Sequence, residues 1–114
     1  MPDHYKLGAI RVEPIVVCSR MSFCLGNFVK YMCRAPYKGT ELEDYKKALW
    51  YINYIDVDTF DEEVKQLQKE KVLCEILAGC PTIVKYLLLD RLECDIQRMI
   101  QDALNESIDE LSVI

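Results

Sequence analysis

The stretch SFCLGNFVKYMCRAPYKGTELEDYKKALWYINY, residues 22–54, holds two runs of apolar residues at helical spacing on either side of a single turn. In the first, Ser22 is placed to cap, Leu25, Phe28, Val29, Met32 and Cys33 recur three and four residues apart, and Ala35-Pro36 is expected to stop the run. Tyr37-Lys38-Gly39 is turn chemistry. Thr40-x-x-Glu43 then has the form of a capping box, opening a second helix whose inner stripe is Leu42, Tyr45, Ala48, Leu49 and Ile52. A connection this short makes the pair an antiparallel hairpin.

Outward from the hairpin, the first 20 residues read as a short irregular or extended segment with a helical turn near Glu13 to Ser19, Pro14 taking a first helical position. On the other side, Asp56 to Asp58 breaks the pattern. Thr59-x-x-Glu62 offers a second capping box for a helix that runs through Ala78 and is closed by Gly79. Pro81-Thr82 starts a last, long helix carrying Leu89, Leu92, Ile96, Met99 and Ala103, widened by Ile100, Leu104, Ile108 and Leu111. The expectation is an all-α fold: one small helical domain over residues 1–114, built on the N-terminal hairpin plus two longer C-terminal helices. The last helix shows more apolar surface than one helix hides, so a homo-oligomer is expected.

Composition agrees with a globular chain. The 114 residues are 51% hydrophobic and 29% charged, far from the composition of a disordered segment. No run approaches the roughly 18 apolar residues of a membrane span, and Met-Pro-Asp-His-Tyr-Lys lacks a signal-peptide core, so no membrane association and a cytoplasmic location are expected. Six cysteines sit within apolar runs without a Cys-x-x-Cys pair, and there is one histidine; free thiols and no metal site are the expectation.

Charge is divided unevenly. Residues 1–55 hold eight Lys/Arg and five Asp/Glu, residues 56–114 six and fourteen. The acidic extension over 56–114 argues against duplex nucleic acid, which needs a broad basic surface, while the basic hairpin suits a small anionic ligand. Asn27, Lys30 and Arg34 share a stripe opposite the apolar face of the first helix, and Lys38 follows near the same end. Gly26 lets another group approach the backbone near that helix start, where free N–H groups favour an anion. On the second helix Glu43, Lys47, Trp50 and Tyr54 lie away from the apolar stripe; Trp50 and Tyr54 are expected to be covered by the C-terminal helices, with stacking on a base as the alternative. His4, in His-Tyr-Lys, is expected at the surface. No phosphate-binding Gly-x-x-x-x-Gly-Lys loop and no nucleophile motif is present.

Taken together, His4-Tyr5-Lys6, Glu13-Pro14-Ile15, Leu25-Gly26-Asn27, Lys30-Tyr31, Arg34, Lys38-Gly39, Glu43-Asp44, Lys46-Lys47-Ala48 and Trp50-Tyr51 resemble the SaV-like family of small bacteriophage proteins over residues 4–54. That family is associated with a phage nucleotide kinase that phosphorylates nucleoside monophosphates without a Walker loop. The resemblance implies a nucleotide or similar phosphate-bearing ligand, in the cytoplasm of an infected bacterium, held by His4, Lys6, Asn27, Lys30, Arg34, Lys38, Lys47 and Trp50. Tyr45 departs from the family's plain aliphatic, and the acidic extension lies outside the pattern.

Two activities follow for such a ligand. A kinase needs ATP and magnesium, with Glu43 and Asp44 the nominated carboxylates. Sequestration, for instance of a cyclic-nucleotide immune signal of the host, needs a basic pocket and no cofactor. The alternative from another class is a protein-interaction module that inhibits a host factor through the acidic half.

Overall fold

A computed structural model describes residues 18–113, with the Lys38 side chain outside what is described. The irregular or extended opening and the turn near Glu13 lie largely outside these residues, as do His4 and Lys6. The described chain is all-α: α1 (Phe23–Lys38), α2 (Glu41–Tyr54), α3 (Val57–Leu67), α4 (Lys71–Ala78), the short α5 (Thr82–Lys85) running into a 3₁₀ turn (Tyr86–Leu88), and α6 (Ile96–Ser112).

Helices α1 and α2 form the expected antiparallel hairpin and make the most extensive packing in the molecule. Ser22 caps α1, its hydroxyl accepting from the Leu25 N–H at 3.2 Å, and its own N–H is taken by Glu63 of α3. Ala35-Pro36 does not stop the helix, which continues to Lys38. Proline has a helical φ of its own, and here, two residues from the helix end, it costs the helix only the bond its missing N–H would give the Met32 carbonyl. Termination belongs to Gly39, whose φ of 70° is the left-handed conformation that closes helices.

The expected capping boxes are both replaced. Thr40 makes no cap; its hydroxyl donates to the Asp44 carboxylate at 3.0 Å. At α3 the cap is Asp56, which accepts from both the Thr59 N–H and the Thr59 hydroxyl, so the helix starts two residues before Thr59. A capping-box motif marks the neighbourhood of a helix start, but which oxygen reaches the free N–H groups depends on the local backbone.

The two long C-terminal helices are also corrected. The first divides at Gln68 to Glu70 into α3 and α4, and Gly79 at its end keeps a negative φ of −91°. The second divides after Lys85, and α6 begins only at Ile96, capped by Asp95 through the Arg98 N–H. Side-chain amides from distant elements hold these breaks. Gln68 donates to the carbonyls of Leu87 and Leu89, and Gln97 to those of Ile52 and Ile55. Leu89 and Leu92 therefore leave the final stripe, and Leu92 is 83% exposed.

One core joins every helix: Leu25, Phe28, Val29, Met32 and Cys33 from α1, Ala48 and Ile52 from α2, Phe60 and Val64 from α3, Leu73 and Leu77 from α4, Val84 from α5, and Ile96, Ile100 and Leu104 from α6. α6 packs its Ile96, Ile100 and Leu104 into this core, while Met99 is exposed and Ile108 and Leu111 are half-buried. No described helix is long and apolar enough to cross a membrane.

Candidate functional site: an aromatic and cationic seam on the hairpin

With Leu25, Phe28, Val29 and Met32 turned inward, the residues left on the outside of α1 include Phe23, Asn27, Lys30, Tyr31 and Arg34. On α2 the same logic leaves Lys47, Trp50, Tyr51 and Tyr54 beside them, since residues three, four and seven apart share a face. The antiparallel pairing brings the two rows into one seam.

The rings lock together across it. Tyr31 stacks on Tyr51 with centroids 6.0 Å apart and planes at 11°, and Tyr51 meets Phe23 and Trp50 edge-on at 5.7 and 5.1 Å. Trp50 in turn stacks on Tyr54 at 5.3 Å. The inner pair is half-buried, whereas Trp50 is 58% and Tyr54 70% exposed. This corrects the expectation that the C-terminal helices cover them: α6 packs against α2, where Ala48 and Ile52 are fully buried, and Gln101 donates to Asn53, while Trp50 and Tyr54 stay exposed.

Two ammonium groups share one ring. Lys30 Nζ lies 5.1 Å and Lys47 Nζ 5.3 Å from the Tyr31 centroid, within the range of cation–π attraction. Farther toward the turn, Arg34 does not join them freely. Its Nε faces the Asp44 carboxylate at 3.8 Å and is buried without a hydrogen-bond partner. Asn27 folds its amide back onto its own helix, donating to the Phe23 carbonyl at 2.8 Å. Of the expected cationic stripe, Lys30 thus meets Lys47, which was placed on another helix, while Asn27 and Arg34 are engaged within the protein. Gly26 faces Cys18, whose carbonyl oxygen would stand 3.0 Å from an added Cβ, so the close approach there is the chain's own and not a ligand's.

A cleft lies elsewhere. A cavity of about 340 Å³ opens between the start of α1 and the end of α3, lined by Arg20, Met21, Leu25, Glu63, Lys69 and Glu70 among others, with Arg20 and Glu70 paired at 3.9 Å. Its rim carries both signs of charge and none of the expected ligand residues. Among the described residues no group of three or more His, Cys, Asp or Glu is placed to hold a metal ion.

Phe23, Tyr31 and Tyr51 are members of the seam that periodicity did not single out as site residues, and Asp44 was nominated only as a carboxylate for a kinase. Tyr31 adjoins Lys30 and Tyr51 adjoins Trp50, but a tyrosine beside a helical stripe reads equally as core packing. Only the crossing of the two helices sets them ring to ring.

A small all-α domain with an exposed aromatic and cationic face on its N-terminal hairpin is the class these observations define. Residues 1–53 match a family of proteins of unknown function, DUF3310, a span that takes in α1 and all but the last residue of α2. No curated protein and no solved structure matches the chain.

Proposed function

We propose that the seam binds a nucleotide and holds it without chemical change, as a sequestering protein of the bacteriophage kind suggested by the sequence resemblance. The observation that carries this is the pair of ammonium groups over Tyr31 beside an exposed Trp50–Tyr54 stack. Large aromatics left in water beside cations are what a ligand with a flat base and an anionic tail requires. From Lys47 to Tyr54 the helix rises about 10 Å, the order of a nucleotide's own length. Phosphate lies against Lys30 and Lys47, and the base against Trp50 and Tyr54.

Phosphoryl transfer is the less favoured activity. Of the two nominated carboxylates, Asp44 is only 1% exposed and already engaged by Thr40 and Arg34, leaving Glu43 to serve a magnesium ion. A transfer site needs more than a single surface carboxylate to neutralise a developing charge.

Calorimetric titration against mono-, tri- and cyclic nucleotides tests the proposal. Binding by the wild type that weakens in Lys47→Ala and in Trp50→Ala supports it; no heat with any member of the panel abandons it. Incubating the bound nucleotide with ATP and magnesium separates the two activities, since a diphosphate product would restore the kinase and recovery of unchanged ligand favours sequestration.

A further inference from the structure

The seam contains a carboxylate that the binding of base and phosphate does not itself employ. Asp44 and Gln97 are the two buried polar side chains among the described residues, and Asp44 carries the charge. Thr40 donates to its Oδ2 at 3.0 Å, and Arg34 Nε faces the same oxygen at 3.8 Å. Such a pair is costly to bury, and an apolar pair of similar volume often does as well for stability. Thr40 has moreover given up capping α2 in order to reach Asp44.

Arginine offers a planar fork of five donors with two usable edges. Here the Nε edge is turned inward, while the side chain retains 29% of its exposure, none of it on Nε. Arg34 stands four residues from Lys30 and three from Tyr31, one turn along the same helix face.

We infer that Asp44, seated by Thr40, is a positioning residue for Arg34: its charge, 3.8 Å from Nε, draws that edge inward so that the terminal Nη groups face the phosphate held by Lys30 and Lys47. Asp44 itself does not touch the ligand. The inference rests on the proposed phosphate site, and deepens it by adding a third, pre-oriented cation.

Inorganic pyrophosphate is the probe, because it removes the base from the question. Arg34 Nε–H and the amides of α1 are followed by NMR in the wild type, Asp44→Asn and Thr40→Val, each first checked for folding by near-ultraviolet circular dichroism. Coulomb's law alone predicts that deleting a negative charge beside Arg34 tightens anion binding. Positioning predicts the opposite sign: about tenfold weaker binding in Asp44→Asn, and a smaller loss in Thr40→Val, which keeps the charge. In an Arg34→Lys background Asp44→Asn costs nothing further. Equal or tighter binding by Asp44→Asn overturns the inference, as does a wild-type Arg34 Nε–H that pyrophosphate leaves unmoved. If Asp44→Asn does not fold, unchanged binding by Thr40→Val overturns it. The nucleotide proposal fails separately, when nucleotides bind no more tightly than pyrophosphate and Trp50 fluorescence does not respond.

Discussion

Tyr31 gathers two lysines and a second tyrosine around one ring, and the magnitudes say which of these contacts a ligand feels most. A base stacked on an aromatic is worth about 1–3 kcal/mol, an exposed charge contact about 1 kcal/mol or less and further reduced by salt. Trp50→Ala is therefore expected to weaken nucleotide binding about 5- to 100-fold, with a loss that persists at high salt. Lys30→Ala should cost less and lose its effect as ionic strength rises, which parallel titrations at two salt concentrations will show. Trp50 is 58% exposed but meets Tyr51 and Tyr54, so its removal should lower the unfolding free energy by about 0.5–1.5 kcal/mol.

Buried thiols contribute to behaviour at alkaline pH. Burial, then the neighbouring Cys80, pushes the Cys18 thiol up from 9.0 to about 11, with Lys30 opposing. Cys33 is also raised, chiefly by its hydrogen bond with Cys80 and then by burial. A thiol that is harder to ionise in the folded state than in the unfolded state favours folding while both states keep the proton. That contribution is complete below about pH 9 and is lost as pH rises through about 11. Denaturant unfolding of wild type and Cys18→Ala should accordingly differ in their pH dependence across that window, and coincident profiles would count against it.

Helix ends are where pattern and structure part company. Leu25, Phe28, Val29, Met32 and Cys33 all lie in the core as their spacing requires, and Ala48 and Ile52 with them. The ends followed other rules, because capping is a competition among nearby oxygens and the winner depends on backbone geometry: Asp56 displaced Thr59, and Asp44 drew Thr40 away. Gly39 has open space around it, so Gly39→Ala meets no clash and its cost is that of a left-handed backbone alone, about 1–2 kcal/mol in the thermal or urea transition. Gln97 is a sharper case. It is 5% exposed and its amide serves two carbonyls at the end of α2, so Gln97→Leu leaves the Ile55 carbonyl without a donor and the Ile52 carbonyl with only the 3.4 Å bond from the Ile55 N–H. A loss of about 1–3 kcal/mol is expected by denaturant titration, the cost of one unsatisfied buried acceptor.

For the molecule as a unit, the division of the last two expected helices carries the main lesson. Leu89, Leu92 and Ile96 continue a helical repeat in sequence, yet the chain turns between them and Leu92 ends in solvent. Leu104→Ala should cost about 2–5 kcal/mol, Leu92→Ala within about 0.5 kcal/mol, and comparable losses at the two positions would contradict the break before Ile96. The basic hairpin and acidic remainder proved to share one core, with α6 closing over the inner side of α2 and leaving its outer side bare.

The helical class, the hairpin and its inner faces were legible in the residues alone, because a 3.6-residue repeat is a local property that apolar side chains enforce whatever they later pack against. So was the placing of Lys30, Lys47 and Trp50 away from the inner stripes of their helices. Their meeting around Tyr31, the diversion of Arg34 onto Asp44, and the exposure of Trp50 and Tyr54 depend on how two helices cross and which side a third one covers. Those are contacts between residues far apart in the chain, set by the packing of the whole core, and no periodicity encodes them.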